Sequence, residues 1–121
     1  MYIRKPAVAG SFYPADPDKL KKMICGYISN AEKEQELHKG KLYGIISPHA
    51  GYIYSGPVAA YGYSYLKFSN CDGFVVIAPS HRARFNGASI LPEGAYATPL
   101  GEMEVDSEAG CELKKSPLFN Y

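Results

Sequence analysis

The sequence predicts an α/β fold built around a β–α–β unit. Two short apolar runs, residues 42–46 and 74–78, each stop at a proline or a Ser-Pro pair. Such runs are typical of strands that are buried on both faces of a parallel sheet. Residues 57–68 between them are predicted to form a helix, with Gly56 as N-cap and Pro57 at its first position. Together the three segments have about the length of one right-handed β–α–β unit.

The N-terminal third of the sequence predicts an arm, a helix and a linker. Residues 1–15 are rich in glycine, proline and aromatic residues without a clean period, so we expect an extended arm. Asp16 and Pro17 have the residue types of a helix start. Apolar residues then recur at helical spacing to about residue 30; they are Leu20, Met23, Ile24, Tyr27 and Ile28. Residues 32–41 have mixed charge and predict a solvated linker with His38 exposed.

The C-terminal third predicts short elements only. Residues 88–91 are predicted to form a strand, and residues 92–94 contain the Pro and Gly of a turn. A second short strand is expected at residues 102–105. Asp106 has the residue type of an N-cap, and the helix that it begins is predicted to run to Lys115.

Length, charge and composition restrict the function. The chain has 121 residues, the size of one ordinary domain, with 13 basic and 12 acidic residues and a formal net charge of +1. This charge argues against binding to nucleic acids or anionic membranes through bulk electrostatics. No apolar run is long enough to span a membrane, and the first ten residues lack the apolar core of a signal peptide. We therefore expect a cytoplasmic protein.

The cysteines predict no metal or disulfide framework. Cys25, Cys71 and Cys111 are separated by long, irregular gaps, and no CxxC pair occurs. Neither a disulfide framework nor a zinc knuckle follows from this spacing. Reduced and mostly buried thiols are the expectation.

Two histidines follow the two predicted strands. His49 comes directly after the first apolar run and His81 directly after the second. If the runs are parallel neighbours, both imidazoles lie at the carboxyl edge of the sheet, where open α/β sheets bind ligands. Neutral imidazole can bind a metal or transfer a proton there. The alternative is that each histidine caps a strand or bonds a backbone carbonyl, and no third ligand can be identified from the spacing.

The tyrosine-rich loop beside His49 is a candidate binding pocket. Residues 51–56 lead into a predicted helix N-terminus and contain Tyr52 and Tyr54, which can line a pocket or simply pack. The loop lacks the Gly-Lys-Ser/Thr sequence of a phosphate-binding loop and does not match GxGxxG. The sequence also has no Gly-x-Ser-x-Gly segment, so a serine hydrolase has little support.

Four blocks of the sequence resemble the Memo family. In order they are RKPAVAGSFYP at residues 4–14, SPHAGYIYSG at 47–56, APSH at 78–81 and YATPLG at 96–101. Asp106 follows the last block at the spacing that the family has. The resemblance covers nearly the whole chain. It implies a three-layer α/β/α fold similar to the class III extradiol, non-haem iron dioxygenases of the LigB type.

The resemblance also implies a metal site and partners. The family's metal-binding residues are two histidines, which match His49 and His81, and a distal cysteine that lies beyond this sequence. Iron and copper are the implied metals, with zinc as a further candidate, and Tyr54 matches a tyrosine near the metal pocket. Tyr52 and Ser80 complete the candidate binding pocket. Prokaryotic members are associated with a radical SAM protein and an AMMECR-type domain. No settled substrate and no catalytic residue come with the resemblance.

Memo proteins are more than twice this length, so we expect residues 1–121 to be the N-terminal portion of a single Memo-like domain. The metal site would then be incomplete, metal binding weak or absent, and this chain inactive alone. A partial sheet exposes an apolar face and an unpaired edge. We therefore expect self-association, completion by the missing C-terminal half, or marginal stability. The alternative function is a non-catalytic module that binds a ligand or peptide in the tyrosine-rich pocket.

Overall fold

A computed structural model describes residues 1–36 and 40–119 of the chain. The chain divides into two compact units, one formed by Met1–Lys5 with Cys71–Tyr121 and the other by Pro6–Asn70. In the described residues, helices and a three-stranded mixed sheet are present, which confirms the α/β class. The predicted linker residue His38 lies outside the described residues.

Unit Pro6–Asn70 is built on two α-helices. Helix α1 spans Pro17–Glu34, and its N-cap Asp16 accepts a hydrogen bond from the Lys19 backbone N–H at 2.8 Å, as the sequence predicts. The helix continues one turn past the predicted end. Helix α2 spans Tyr52–Tyr63 and passes directly into a 3₁₀ helix at Ser64–Phe68.

The unit of the two helices contains a few buried apolar residues and one polar cluster between the helix ends. Leu20, Ala31 and Ala60 are buried. The Gln35 side-chain amide, just after α1, donates to the Ser64 hydroxyl at 2.6 Å and to the Tyr61 carbonyl at 3.1 Å. These bonds fix the C-terminal end of α1 against the end of α2, because they satisfy polar groups that packing has partly removed from water.

Helix α2 begins five residues earlier than the sequence predicts. Its N-cap is Gly51 and not Gly56, and Pro57 lies inside the helix. The Tyr52 N–H donates to the Phe12 carbonyl at 2.8 Å, and the Ser55 hydroxyl donates to the Ala50 carbonyl at 2.9 Å. The Phe12 carbonyl thus satisfies the first N–H of a helical turn that lies upstream of Pro57, and the proline removes one internal hydrogen bond without ending the helix.

The two apolar runs do not form the predicted β–α–β unit. In the described part of the chain, residues 42–46 and 74–78 are irregular and pair with no other segment. In the first run Ile46 is fully exposed while Leu42 and Ile45 are half-buried, and in the second run the side chains of residues 74–77 are all exposed, Ile77 to 92%. A strand is stable only when a neighbour accepts and donates its backbone hydrogen bonds, and neither run has such a neighbour among the described residues. The predicted strands, and the shared sheet edge that depended on them, are therefore wrong.

The sheet lies instead in the unit that contains the chain's N-terminus. Strand β1, Ile3–Arg4, pairs in parallel with β2, Ala95–Thr98, and β2 pairs in antiparallel with β3, Gly101–Glu104. The sheet is thus mixed and not mainly parallel. Strand β3 confirms the strand predicted at residues 102–105, whereas residues 88–91 contribute a single bridge between Ala88 and Phe119.

The sheet and the last helix are held by tight local contacts. Gly94 has φ +116° and is buried against the Tyr2 carbonyl, which accepts a hydrogen bond from Ala95 N–H at 3.0 Å. A side chain at Gly94 would prevent this approach. Helix α3 spans Ser107–Lys114, and its N-cap Asp106 accepts from the Ala109 N–H at 3.0 Å, which confirms the predicted cap.

The cysteines differ from expectation. Cys25, Cys71 and Cys111 are free thiols, as predicted, but all three are exposed and not buried. Cys25 and Cys111 lie on solvent-facing positions of α1 and α3, and Cys71 lies in an irregular segment. Helical periodicity places the apolar neighbours of Cys25 toward α2, which leaves the thiol on the opposite face.

Candidate functional site

The two candidate histidines lie in different units. His49 is exposed in the irregular segment just before α2, and His81 is exposed at a turn in the unit that contains the sheet. The predicted alignment of both imidazoles depended on strands at residues 42–46 and 74–78, which do not form. Their assignment as metal ligands stays a prediction.

A local hydrogen-bond pair organises the turn at His81. The Ser80 hydroxyl donates to the Ala83 carbonyl at 2.8 Å and accepts from the Ala83 N–H at 3.3 Å. Ser80 therefore closes a turn whose corner carries His81 and Arg82. In this structure the Ser80 hydroxyl serves the turn, and Ser80 belongs to a different unit from Tyr52 and Tyr54.

The described residues do not complete a metal site. Across residues 1–36 and 40–119, no group of three or more His, Cys, Asp or Glu side chains is placed to hold one ion. A protein site for zinc or non-haem iron normally has at least three protein ligands. The donor set described here therefore does not fit a complete mononuclear centre.

Tyr52 and Tyr54 both line an open cavity of about 350 Å³. The cavity wall also includes the N-terminal arm, helix α1 through Met23, and the start of α2. Its aromatic residues are Phe12, Tyr13, Tyr52 and Tyr54. The Tyr13 and Tyr52 ring centres are 5.3 Å apart with the rings tilted at 47°, a favourable aromatic geometry.

The surroundings of the Tyr52 phenol in this cavity shift its pKa. Burial is the largest cause that raises the pKa of Tyr52, and the neighbouring phenols of Tyr13 and Tyr63 raise it further. The Tyr52 hydroxyl therefore remains a neutral hydrogen-bonding group through the physiological range. Tyr54 is exposed and lies at the cavity edge.

Sequence reasoning missed the contribution of the N-terminal arm. Phe12 and Tyr13 face the loop before α2, and the Phe12 carbonyl accepts the first helical N–H of α2. The signal was present, because GSFYP at residues 10–14 places two aromatic residues between Gly and Pro. Neither periodicity nor a cap connects that segment with residue 52, so only the tertiary structure shows the contact.

A family model described as "Memo-like protein" matches residues 4–120. The chain belongs to the Memo family. The matched range includes His49, His81 and the tyrosine-lined cavity.

Several archaeal Memo proteins are similar to the chain. A "MEMO1 family protein" of Methanothermobacter thermautotrophicus is 43% identical over 116 residues, which cover 88% of this chain and 40% of the relative. One from Nitrosopumilus maritimus is 39% identical over 97% of the chain and 43% of its own length. One from Thermoplasma volcanium is 40% identical, covering 97% and 42%. The chain thus spans about two-fifths of the length of the curated relatives it matches.

The Memo match agrees with the family resemblance of the four sequence blocks, and it carries no substrate. In the described residues, no helix has the length and apolar character needed to cross a membrane.

Proposed function

We propose that this Memo-family chain supplies His49 and His81 as two ligands of a non-haem metal site and has no catalytic activity alone. The observation that carries the proposal is that both imidazoles are exposed in irregular segments within the family-matched range. Exposed imidazoles at such positions can be reached by a metal ion or by further ligands. Iron and copper are the preferred candidates, with zinc as a third, since imidazole suits all three.

Two imidazoles are too few for tight binding. A two-histidine site in an enzyme normally adds a carboxylate or thiolate, and the described residues bring no such donor together with these histidines. About three-fifths of the length of each matched relative lies outside the match, so the missing donor can come from sequence of that kind. We propose no reaction step for this chain. A dioxygenase-like activity, which the family resemblance implies, is proposed only for a complete site.

The test is a metal titration followed by NMR of the histidine ring protons. Copper(II), iron(II) under argon, and zinc(II) are titrated into the chain and into His49→Ala and His81→Ala variants. His38→Ala is the matched control, because it removes the third histidine of the sequence. We expect binding weaker than about 1 μM that each site variant weakens further and the control does not. Binding at 1 μM or tighter that survives His49→Ala would refute the assignment of that ligand.

A second candidate function rests on the tyrosine-lined cavity. An open volume of about 350 Å³ with four aromatic side chains can hold a small ligand or a peptide side chain without any metal. In this reading the chain is a non-catalytic binding module. Tyr54 offers exposed ring surface at the cavity edge, and Tyr52 offers a neutral hydroxyl.

Metal-depleted protein separates the two functions. A peptide or anion library is screened by NMR against the wild-type chain, Tyr54→Ala and the control Tyr43→Ala. Tyr43 has the same side chain as Tyr54 and is also exposed, but it does not line the cavity. The binding module predicts hits that Tyr54→Ala removes and Tyr43→Ala keeps. Hits that require added metal would contradict it.

Partners and location are proposed on the exposed apolar runs and the family association. The side chains at residues 74–77 and at 46 are largely exposed, and covering them would stabilise the chain. A second copy of this chain or a C-terminal half like that of its relatives is the proposed partner, with an AMMECR-type or radical SAM protein as a further one. A cytoplasmic location completes the proposal.

A further inference from the structure

The turn that follows the second apolar run carries two arginines beside His81. We call residues 80–84 the arginine turn. Its backbone is set by the Ser80 hydroxyl, which both donates to and accepts from Ala83. Arg82 and Arg84 flank Ala83, and both side chains are exposed. Two guanidinium groups therefore project from a backbone that local hydrogen bonds hold in place.

The positive charge of the arginine turn is not neutralised locally. Residues 73–92 contain two arginines and one histidine and no aspartate or glutamate. Within the described part of the chain, neither Arg82 nor Arg84 forms an ion pair with an acidic side chain. The chain as a whole has a formal net charge of only +1. The turn is thus a local positive patch on a nearly neutral protein.

Another arginine shows the contrast. The Arg4 guanidinium lies over the Tyr96 ring, 5.5 Å from its centre, so part of its charge is used inside the sheet unit. The guanidinium groups of the arginine turn have no such ring partner in the described residues. They keep the planar donor fork that matches a carboxylate or a phosphate with two parallel hydrogen bonds.

We propose that the arginine turn binds a small anionic ligand that carries carboxylate or phosphate groups and holds it beside His81. The inference deepens the proposed function, because it assigns the class of molecule that a site containing His81 would receive. The charge on the ligand pairs with Arg82 and Arg84, and His81 is the next residue along the chain from Arg82. A polymeric anion needs a broader basic surface than two arginines on a chain of net charge +1, so a small molecule is the better fit.

The proposed affinity is low. Exposed ion pairs are screened by water and salt and contribute little each, so we expect half-saturation on the order of millimolar for a simple anion. Removal of both guanidinium groups should weaken binding roughly fivefold to tenfold, the loss expected from two exposed charge pairs. Replacement by lysine keeps the charge but loses the fork, and should give an intermediate weakening.

The experiment is an NMR titration of metal-depleted protein at constant ionic strength, with inorganic phosphate and with succinate as separate probes. The variants are Arg82→Gln with Arg84→Gln, and the same pair changed to lysine. The control is Lys21→Gln with Lys22→Gln on the exposed face of α1, which removes the same two charges in the other unit. The expected result is saturable amide shifts at residues 80–84 that the arginine variant weakens and the lysine control leaves within about twofold.

Two results would overturn the proposal. One is that the Lys21→Gln with Lys22→Gln control weakens anion binding as much as Arg82→Gln with Arg84→Gln does, which would show only a response to net charge. The other is the absence of saturable shifts at residues 80–84 with either probe. Phosphate and succinate distinguish a preference for phosphate from one for carboxylate. Because no metal is present, failure of His49 and His81 as metal ligands leaves this result unaffected, and the reverse also holds.

Discussion

The packing of α1 against α2 makes a sharp prediction about Gly56. A Cβ atom built on Gly56 would lie 2.5 Å from Cε2 and 2.8 Å from Cδ2 of the Tyr27 ring. Ordinary contact begins near 3.4 Å, so Gly56→Ala requires the ring or the helix to move by roughly 1 Å. Gly26, one residue before Tyr27 on α1, has nothing within 4 Å of such an atom and is exposed. A glycine-to-alanine substitution is therefore sterically hindered at position 56 and unhindered at position 26.

The magnitude follows from two opposing terms. Alanine in place of glycine inside a helix stabilises by about 1 kcal/mol, and this term applies to both positions. Overpacking costs typically about 1–3 kcal/mol and applies only to Gly56. We expect Gly26→Ala to raise the free energy of unfolding by up to about 1 kcal/mol. Gly56→Ala should come out about 1–3 kcal/mol less stable than Gly26→Ala, because the helix term cancels in the comparison.

The assay is urea unfolding followed by far-ultraviolet circular dichroism, with the slope compared between variants. A Tyr27→Leu background provides the mechanistic control, because it removes the ring atoms that the new methyl group would meet. In that background Gly56→Ala should become as stabilising as Gly26→Ala. The reasoning is refuted if Gly56→Ala stabilises the wild-type chain as much as Gly26→Ala does.

Three further predictions concern a cap, a phenol and the exposed apolar surface. Asp106→Ala removes the acceptor of the Ala109 N–H and should cost about 1 kcal/mol in urea unfolding; an unchanged midpoint would contradict the cap. Because the folded protein raises the pKa of Tyr52, the unfolded chain ionises this phenol first, so stability should be intact below about pH 10 and fall above it. Tyr52→Phe should flatten that fall, as followed by unfolding at several pH values, and an unaltered pH profile would exclude Tyr52 as its source. Val76→Lys places a charge on a side chain that is 86% exposed and should shift sedimentation velocity toward the monomer; an unchanged distribution would argue against pairing through this run.

Local signals in the sequence predicted the helices and strand β3, and failed for the two apolar runs at residues 42–46 and 74–78. Asp16 and Asp106 are N-caps in the structure because a capping side chain needs only the N–H groups of the next turn. The predicted start of α2 was five residues too late, because the first N–H of the helix donates to the carbonyl of Phe12, some forty residues earlier in the chain. A strand outside a hairpin depends on distant partners for its backbone hydrogen bonds, and the sequence does not identify those partners.

The candidate site shows the same division. Tyr52 and Tyr54 line the same cavity because both lie at the first turn of one helix, a local relation. The alignment of His49 with His81 required two strands to pair with neighbours, and no composition or spacing rule supplies that neighbour. Phe12 and Tyr13 could be found only from the folded arm.

The position of each candidate ligand is tied to the pairing of the run before it. His49 lies three residues after the partly exposed run 42–46, and His81 three residues after the exposed run 74–78. A partner that pairs with these runs would fix the backbone at both histidines, and a metal held by both histidines would restrict the same backbone. The two events are therefore thermodynamically linked: whatever factor pairing adds to metal affinity, metal must add to pairing. Under the proposed function, weak metal binding and the exposure of these runs both result from the absence of a pairing partner. A partner that covers the runs must therefore also raise the affinity for metal.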